Sequence, residues 1–153
     1  MSSLDHKIPP PVVGALAATA MWLISSTGPS LPIGDTLRHA LAGLLVASGL
    51  GFDLLGLLAF RAARTTLNPL RPERASVLVV TSVYAITRNP MYVGLLFLLL
   101  GWAVYLSAWL AFAGPILYMI YITRFQIVPE ERILGQVFGE RYTRYVRRVR
   151  RWL

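Results

Sequence analysis

Residues 91–128 read MYVGLLFLLLGWAVYLSAWLAFAGPILYMIYITRFQIV, and Arg124 is the one charged residue among them. A membrane core of about 30 Å takes roughly 20 apolar residues as a helix, so this stretch is too long for one crossing. It is long enough for two, and Ser107 is the best candidate for the turn between them. We therefore expect a helical hairpin with spans of about 91–106 and 109–127, the second kinked at Pro115.

Two further apolar segments precede this hairpin. The segment 39–60 is long enough to cross a membrane, and it contains Asp53 and several glycines that let another helix approach closely. The segment 11–27 is near the lower length limit. An alternative interpretation is a signal peptide, with Lys7 as the basic flank and residues 12–24 as the apolar core. The run Pro9-Pro10-Pro11 is unusual before a signal core and favours a retained helix.

The composition supports a membrane protein. Of the 153 residues, 56% are hydrophobic and only 14% are charged, and the mean hydropathy is +0.58. A soluble domain carries roughly a quarter charged residues, because its surface must face water. The chain has no cysteine, and its two histidines, His6 and His39, are far apart, so we expect no metal site. The apolar bulk leaves little room for a nucleic-acid surface, despite a net charge of +8.

The tail, about 129–150, has a different pattern. Apolar residues recur there at helical spacing, and a second stripe carries Arg141, Arg144, Arg148 and Arg151. This pattern predicts an amphipathic helix at the membrane surface, with its arginines near anionic lipid head groups. The fold class we expect is therefore all-α, with about four transmembrane helices and an interfacial helix, in a single domain covering residues 1–153.

The basic residues predict an orientation. Four spans place the N-terminal segment, the 61–90 loop and the tail on one side, and that side holds every Lys and Arg except Arg38. Lysine and arginine concentrate in cytoplasmic loops, so both termini should be cytoplasmic.

Two polar motifs lie at the predicted cytoplasmic ends of apolar spans. The first, residues 84–94, reads YAITRNPMYVG, and the second, residues 129–145, begins Pro-Glu-Glu-Arg. Each also has a purely local explanation. A proline at a helix start with an interfacial aromatic residue accounts for the first, and acids at a helix N-terminus account for the second.

Together the motifs resemble the isoprenylcysteine carboxyl methyltransferase and phospholipid methyltransferase superfamily. The hairpin motif matches at Arg88, Asn89, Pro90, Tyr92 and Gly94, with Tyr84 upstream. The second motif matches at Glu130, Glu131, Leu134, Phe138, Gly139, Tyr142 and Tyr145. Residues 7–11 and 65–69 resemble a short bacterial branch of the family, so the resemblance covers nearly the whole chain and is strongest over 81–147. This branch implies a location in a bacterial inner membrane. Asn89 stands where the eukaryotic enzymes have histidine, and Ser82 where many members have glycine.

The resemblance implies an enzyme that uses S-adenosylmethionine as methyl donor. It implies binding of this cofactor by Tyr84, Arg88, Asn89, Pro90, Tyr92, Gly94, Glu130, Glu131 and Tyr142, with Arg88, Asn89 and Tyr92 closest to the chemistry. Arg88 suits the methionine carboxylate, and the two glutamates suit the amino group or the ribose hydroxyls. Tyr84 and Tyr92 offer aromatic faces to adenine or to the sulfonium. If the acceptor is an amine, Asp53 is a candidate base, although a buried acid bonded to a neighbouring helix is the commoner situation.

The expected acceptor is lipophilic, an isoprenylcysteine-like carboxylate, a thiol or a phospholipid amine, entering from the inner leaflet and presented near Arg88 and Asn68. Two alternatives remain at this point. A small non-enzymatic membrane scaffold would explain the helices and arginines but not the paired motifs. A sterol-reductase-like enzyme using NADPH shares the C-terminal architecture, but such enzymes have several more spans.

Overall fold

The structure, a computed structural model, describes residues 8–63 and 77–153. Six α-helices lie in these ranges, α1 (Pro10–Ile24), α2 (Asp35–Ala62), α3 (Pro90–Leu106), α4 (Ala113–Ile122), α5 (Val128–Phe138) and α6 (Glu140–Arg148). The same ranges contain no β-strand, only two isolated bridges. The predicted all-helical class is therefore confirmed.

The predicted turn at Ser107 is confirmed. Ser107 caps α3 in the left-handed conformation, with φ 53° and ψ 37°, and a 3₁₀ turn, Trp109–Phe112, leads into α4. The preceding loop is fixed to this turn, because Leu31 N donates to Ser107 O over 2.9 Å and Trp109 N donates to Pro29 O over 3.3 Å. Both connections therefore meet at one end of the bundle, and the polar motifs lie at the other.

The second half of the hairpin is longer than the expected span of 109–127. Its irregular turn lies after the expected kink at Pro115. Pro115 lies in the first turn of α4. The irregular segment is a π-helical turn, Thr123–Ile127, immediately before Pro129. Proline has no amide hydrogen to donate to the preceding turn, and π turns are a common local response to such a missing bond. Residues 109–138 thus form one helical column that runs from the turn to the second motif.

The tail contains two helices where we expected one. Helix α5 continues the column, and α6 leaves it at Gly139, whose φ of 52° and ψ of −125° are accessible essentially only to glycine. The chain then leaves α6 after Arg148 in an extended conformation. The arginine stripe therefore extends over α6 to Arg148, while Arg151 lies beyond it.

Glycines bring α2 and α3 together, as the sequence suggested. A Cβ on Gly49 would lie 2.7 Å from Gly94 O, and a Cβ on Gly94 would lie 2.9 Å from Gly49 O and in contact with Asp53. A Cβ on Gly43 or Gly51, in contrast, would have no described atom within 4 Å. Only part of the glycine set on α2 therefore serves close packing.

Helix α1 belongs to the core of the bundle. Met21 is 1% exposed and packs against Gly114 of α4, while Trp102 Nε1 donates to Ala18 O over 3.1 Å. The buried Gln126 donates through Nε2 to Ile8 O over 2.7 Å, which holds the start of α1 to the π turn. These contacts are those expected of a retained helix.

The outer surface is apolar. Asp35–Ala62 and Trp109–Phe138 are long and apolar enough to cross a membrane, and only 17% and 33% of their apolar windows are buried. Leucines of α2, such as Leu44 at 64% exposure, face outward. Helices α1 and α3, of 15 and 17 residues, are apolar but shorter. Four crossings therefore remain a prediction, as does the orientation, since Lys7 and three loop arginines lie outside the described residues.

Candidate functional site

The site is built around the segment that leads into α3. Ser82 begins a 3₁₀ turn, Ser82–Ala85, with φ 57°, which explains why glycine suits this position. The turn buries Tyr84 to 7% exposure, with its ring edge-on to Phe60 of α2 at 5.3 Å. Tyr145 of α6 donates its hydroxyl hydrogen to Tyr84 O over 2.7 Å. The turn is thereby fixed between α2 and α6.

Residues 149–153, which we call the return segment, pass beside the start of α3. Arg88 N donates to Arg150 O over 2.9 Å, and residues 87 and 150 form a parallel bridge. Arg151 O accepts from Asn89 Nδ2 over 2.9 Å and from the hydroxyl of the fully buried Thr87 over 3.2 Å. The amide of Asn89 therefore holds the return segment in place.

The return segment brings a second arginine to the glutamates. Arg151 makes a two-point contact with Glu131, from Nε over 2.9 Å and from Nη2 over 2.7 Å. Arg88 approaches the same carboxylate with its Nη2, 3.1 Å from Oε1. The hydrogen bond to Glu131 raises the pKa of Arg151 above its ordinary value. Glu131 thus orients two guanidinium groups at once.

Arg88 retains unused donor capacity. Its side chain is 9% exposed, and its Nε has no hydrogen-bond partner among residues 8–63 and 77–153. An unpaired buried donor costs free energy unless a ligand or water satisfies it. This nitrogen is therefore suited to an anionic group in the adjoining cavity.

The other glutamate is joined to α3. The hydroxyl of Tyr92 donates to Glu130 Oε1 over 2.6 Å, and Tyr92 itself is 7% exposed. This bond links the first turn of α3 with the first turn of α5. The two motifs, far apart in sequence, are thus held together by direct side-chain contacts.

These side chains surround a cavity of about 900 Å³. A volume of this size is within the range of small-molecule sites. One wall carries eight of the nine predicted cofactor-binding residues, namely Tyr84, Arg88, Asn89, Pro90, Tyr92, Glu130, Glu131 and Tyr142. The rest of the lining comes largely from α2, with Leu50, Leu54, Leu57 and the half-buried Asp53, and we call this part the apolar wall. The cavity therefore combines a polar wall, formed by the motif residues, with an apolar one.

The ninth residue is placed elsewhere. Gly94 lies in the contact between α3 and α2 and is not among the residues that line the cavity. Arg151 was missed as a site residue, because its spacing from Arg148 continued the arginine stripe of the tail. Thr87 was also missed, since a threonine beside a basic residue carries no specific signal. Asn68 lies outside the described residues.

The tyrosines of α6 and of the 3₁₀ turn are neutral. Burial raises the pKa of Tyr142 to about 12, and burial also raises the pKa values of Tyr84 and Tyr145. At neutral pH these phenols therefore act as hydrogen-bond partners and apolar faces and not as bases.

A helical bundle with an apolar outer face and a polar cavity at one end is characteristic of a membrane protein that acts on small molecules or lipids. The sequence model of the family described as "Phospholipid methyltransferase" matches residues 37–141. The chain belongs to this family, as the two motifs predicted. Family membership and the two long apolar helices identify it as a membrane methyltransferase.

A short protein of Haemophilus influenzae is similar in sequence to part of this chain. This protein, described as uncharacterized, is 46% identical over 63 residues, which are 41% of this chain and 100% of the relative.

Proposed function

We propose that the protein transfers a methyl group from S-adenosylmethionine to a lipophilic acceptor at the membrane. The observation that carries this proposal is the convergence of Arg88, Glu130 and Glu131, with Arg151 bound to Glu131, at a cavity that is also lined by apolar side chains of α2. S-adenosylmethionine has a carboxylate, an ammonium, ribose hydroxyls and a sulfonium, so it needs both signs of charge from its site.

The residues divide these tasks according to their existing partners. Arg88 has an unused buried Nε and is the donor for the methionine carboxylate. Glu131 is already occupied by two arginines, so its task is to orient them. Glu130 has a single hydrogen bond in the described structure, from Tyr92, and is the acceptor for the ammonium or the ribose. Asn89 holds the return segment, which supplies Arg151.

The bound cofactor supplies an electrophilic methyl group on its sulfonium. The chain supplies position and environment. The rings of Tyr84 and Tyr92 line the cavity and offer aromatic faces to a cation. Apolar side chains of α2 and Pro90 contribute a lining that solvates the spread-out charge of the transition state less than water would. Holding the nucleophile in line with the methyl group accounts for most of the acceleration in a one-step displacement, and no acid–base pair is required for a carboxylate or thiolate acceptor.

The apolar wall supports a lipophilic acceptor. Leu50 and Leu54 line the cavity and are 55% and 56% exposed, so α2 offers apolar surface to a bound molecule. An acceptor with a long apolar chain can therefore contact α2 while its nucleophile reaches the polar wall. If that nucleophile is an amine, Asp53 is the carboxylate available on this wall to take its proton.

Calorimetric binding of S-adenosylmethionine to the purified protein in detergent tests the cofactor. We expect Arg88→Ala to weaken binding about ten- to a hundredfold, the usual cost of a lost charge-assisted contact. Arg132→Ala, at an exposed position beside Glu131, is the matched control. Binding of NADPH instead would support a reductase, and binding of neither would support a scaffold.

The acceptor is tested with radiolabelled S-adenosylmethionine and the wild-type protein, offered a lipid extract or a water-soluble metabolite pool. We expect label in the lipid products. Label only in water-soluble products would contradict the lipophilic acceptor and leave methyl transfer intact.

A further inference from the structure

A second groove lies outside the cofactor cavity, between residues 77–85 and α6. Its volume is about 690 Å³. Four residues line both the groove and the cavity and so form part of the wall between them, namely Val77, Leu78, Phe138 and Tyr145. None of the residues that we assign to the cofactor contributes its charged group to this groove.

One side of the groove is cationic. Arg141, Arg144 and Arg148 line it, at positions i, i+3 and i+7, which fall on one face of α6. All three side chains are exposed. Among the described residues, no acidic side chain lines the groove. A ligand with negative charge would therefore meet three guanidinium groups with no competing carboxylate.

The other side of the groove is apolar. It is formed by Val77, Leu78, Val80, Ala85 and Val149. Val77 and Val80 are 47% and 41% exposed, and the neighbouring Ile86 is 59% exposed. Apolar side chains exposed beside three arginines are poorly suited to a surface that faces only water. An inorganic anion would satisfy the arginines but leave this side uncovered, whereas an amphiphile would cover both.

We propose that this groove binds an acidic phospholipid, with its phosphate at Arg141, Arg144 and Arg148 and its acyl chains along the apolar side. The charges favour anionic over zwitterionic lipid, because a zwitterion adds a cation beside three guanidinium groups. The proposal does not rest on methyl transfer, since the three arginines line the groove and not the cofactor cavity. Tyr145 forms a wall of both sites and is hydrogen-bonded to Tyr84 O, so the bound lipid packs next to the cavity.

Native mass spectrometry of the purified protein in detergent, titrated with dioleoylphosphatidylglycerol or dioleoylphosphatidylcholine, tests this proposal. The double variant Arg144→Gln/Arg148→Gln should bind phosphatidylglycerol at least about tenfold more weakly than the wild type. The matched control, Arg132→Gln/Arg147→Gln, removes the same charge from exposed positions that do not line the groove and should change the affinity little. Thermal unfolding without lipid verifies that both variants are folded.

Three results would overturn the proposal. Equal loss of affinity in the groove variant and its control would mean that only the net charge matters. Equal affinity of the wild type for the two lipids would remove the role of the arginines. Full competition by soluble glycerol phosphate at the same concentration as the lipid would mean that the apolar side contributes nothing.

Discussion

The hydroxyl of Tyr92 donates to Glu130 Oε1 over 2.6 Å and so joins the first turn of α3 to the first turn of α5. Both residues line the cavity at its polar wall, where an acceptor that loses its donor is left unsatisfied unless water or a ligand reaches it. The bond therefore serves both the bundle and the site.

Tyr92→Phe should lower the free energy of unfolding by about 1–3 kcal/mol, the typical cost of leaving a buried acceptor without its donor. Denaturation in mixed detergent micelles measures this change. Tyr105→Phe is the control, because Tyr105 is 48% exposed and its hydroxyl has no partner in the described structure. Equal stability of the two variants would contradict the assigned role of the Tyr92 bond.

Arg151→Gln should weaken S-adenosylmethionine binding roughly fivefold. The partly exposed ion pair between Arg151 and Glu131 is worth about 1 kcal/mol, and Glu131 in turn orients Arg88. Arg150→Gln is the comparison. Arg150 is exposed and contacts Arg88 through its backbone oxygen, which the substitution keeps. Calorimetry measures the S-adenosylmethionine affinity of both variants. A larger loss of affinity for Arg150→Gln would mean that the effect comes from general charge.

Gly139→Ala should destabilise the fold by about 1–3 kcal/mol, since φ 52° and ψ −125° are strained for any residue with a Cβ. Gly135→Ala, in the interior of α5, should instead be neutral or stabilising by up to about 1 kcal/mol. Thermal unfolding of both variants in detergent measures the contrast. Similar midpoints for the two would mean that α5 and α6 are not separated by a glycine-specific turn.

Gly94→Ala should cost about 1–3 kcal/mol, because its Cβ would meet Asp53 and the backbone of Gly49. Gly43→Ala on α2 meets no described atom within 4 Å and should be tolerated. Cysteine crosslinking between α2 and α3 gives a second readout, with slower crosslinking expected only in Gly94→Ala. Retention of wild-type stability in Gly94→Ala would contradict the close approach of the helices.

The orientation is tested with a reporter placed after Gly34 and another placed after Leu153. Four crossings require these positions to lie on opposite sides of the membrane, with the second in the cytoplasm. Detection of both reporters on one side would show that the chain crosses a different number of times.

The sequence allowed the helices and most of the cavity to be predicted, because each depends on local patterns. Apolar segments indicated the helices, Ser107 marked the turn, and motif residues at helix starts indicated the polar wall. The break at Gly139 was not predicted, since the apolar spacing of the tail continues across it. The isolated backbone bridge between residues 87 and 150 was not predicted either, because it produces no periodic pattern in the sequence. Arg151 therefore resembled a surface residue, although it is bound to Glu131.

The position of the return segment has a consequence for truncated chains. A chain that ends before residue 149 keeps the sequence of all six helices. It lacks the oxygens of Arg150 and Arg151 that the main-chain amide of Arg88 and the side-chain amide of Asn89 bind. Glu131 would also lose the guanidinium group of Arg151. Residues 149–153 thus complete the polar wall without belonging to any helix, and we expect their removal to impair the site more than the helical bundle.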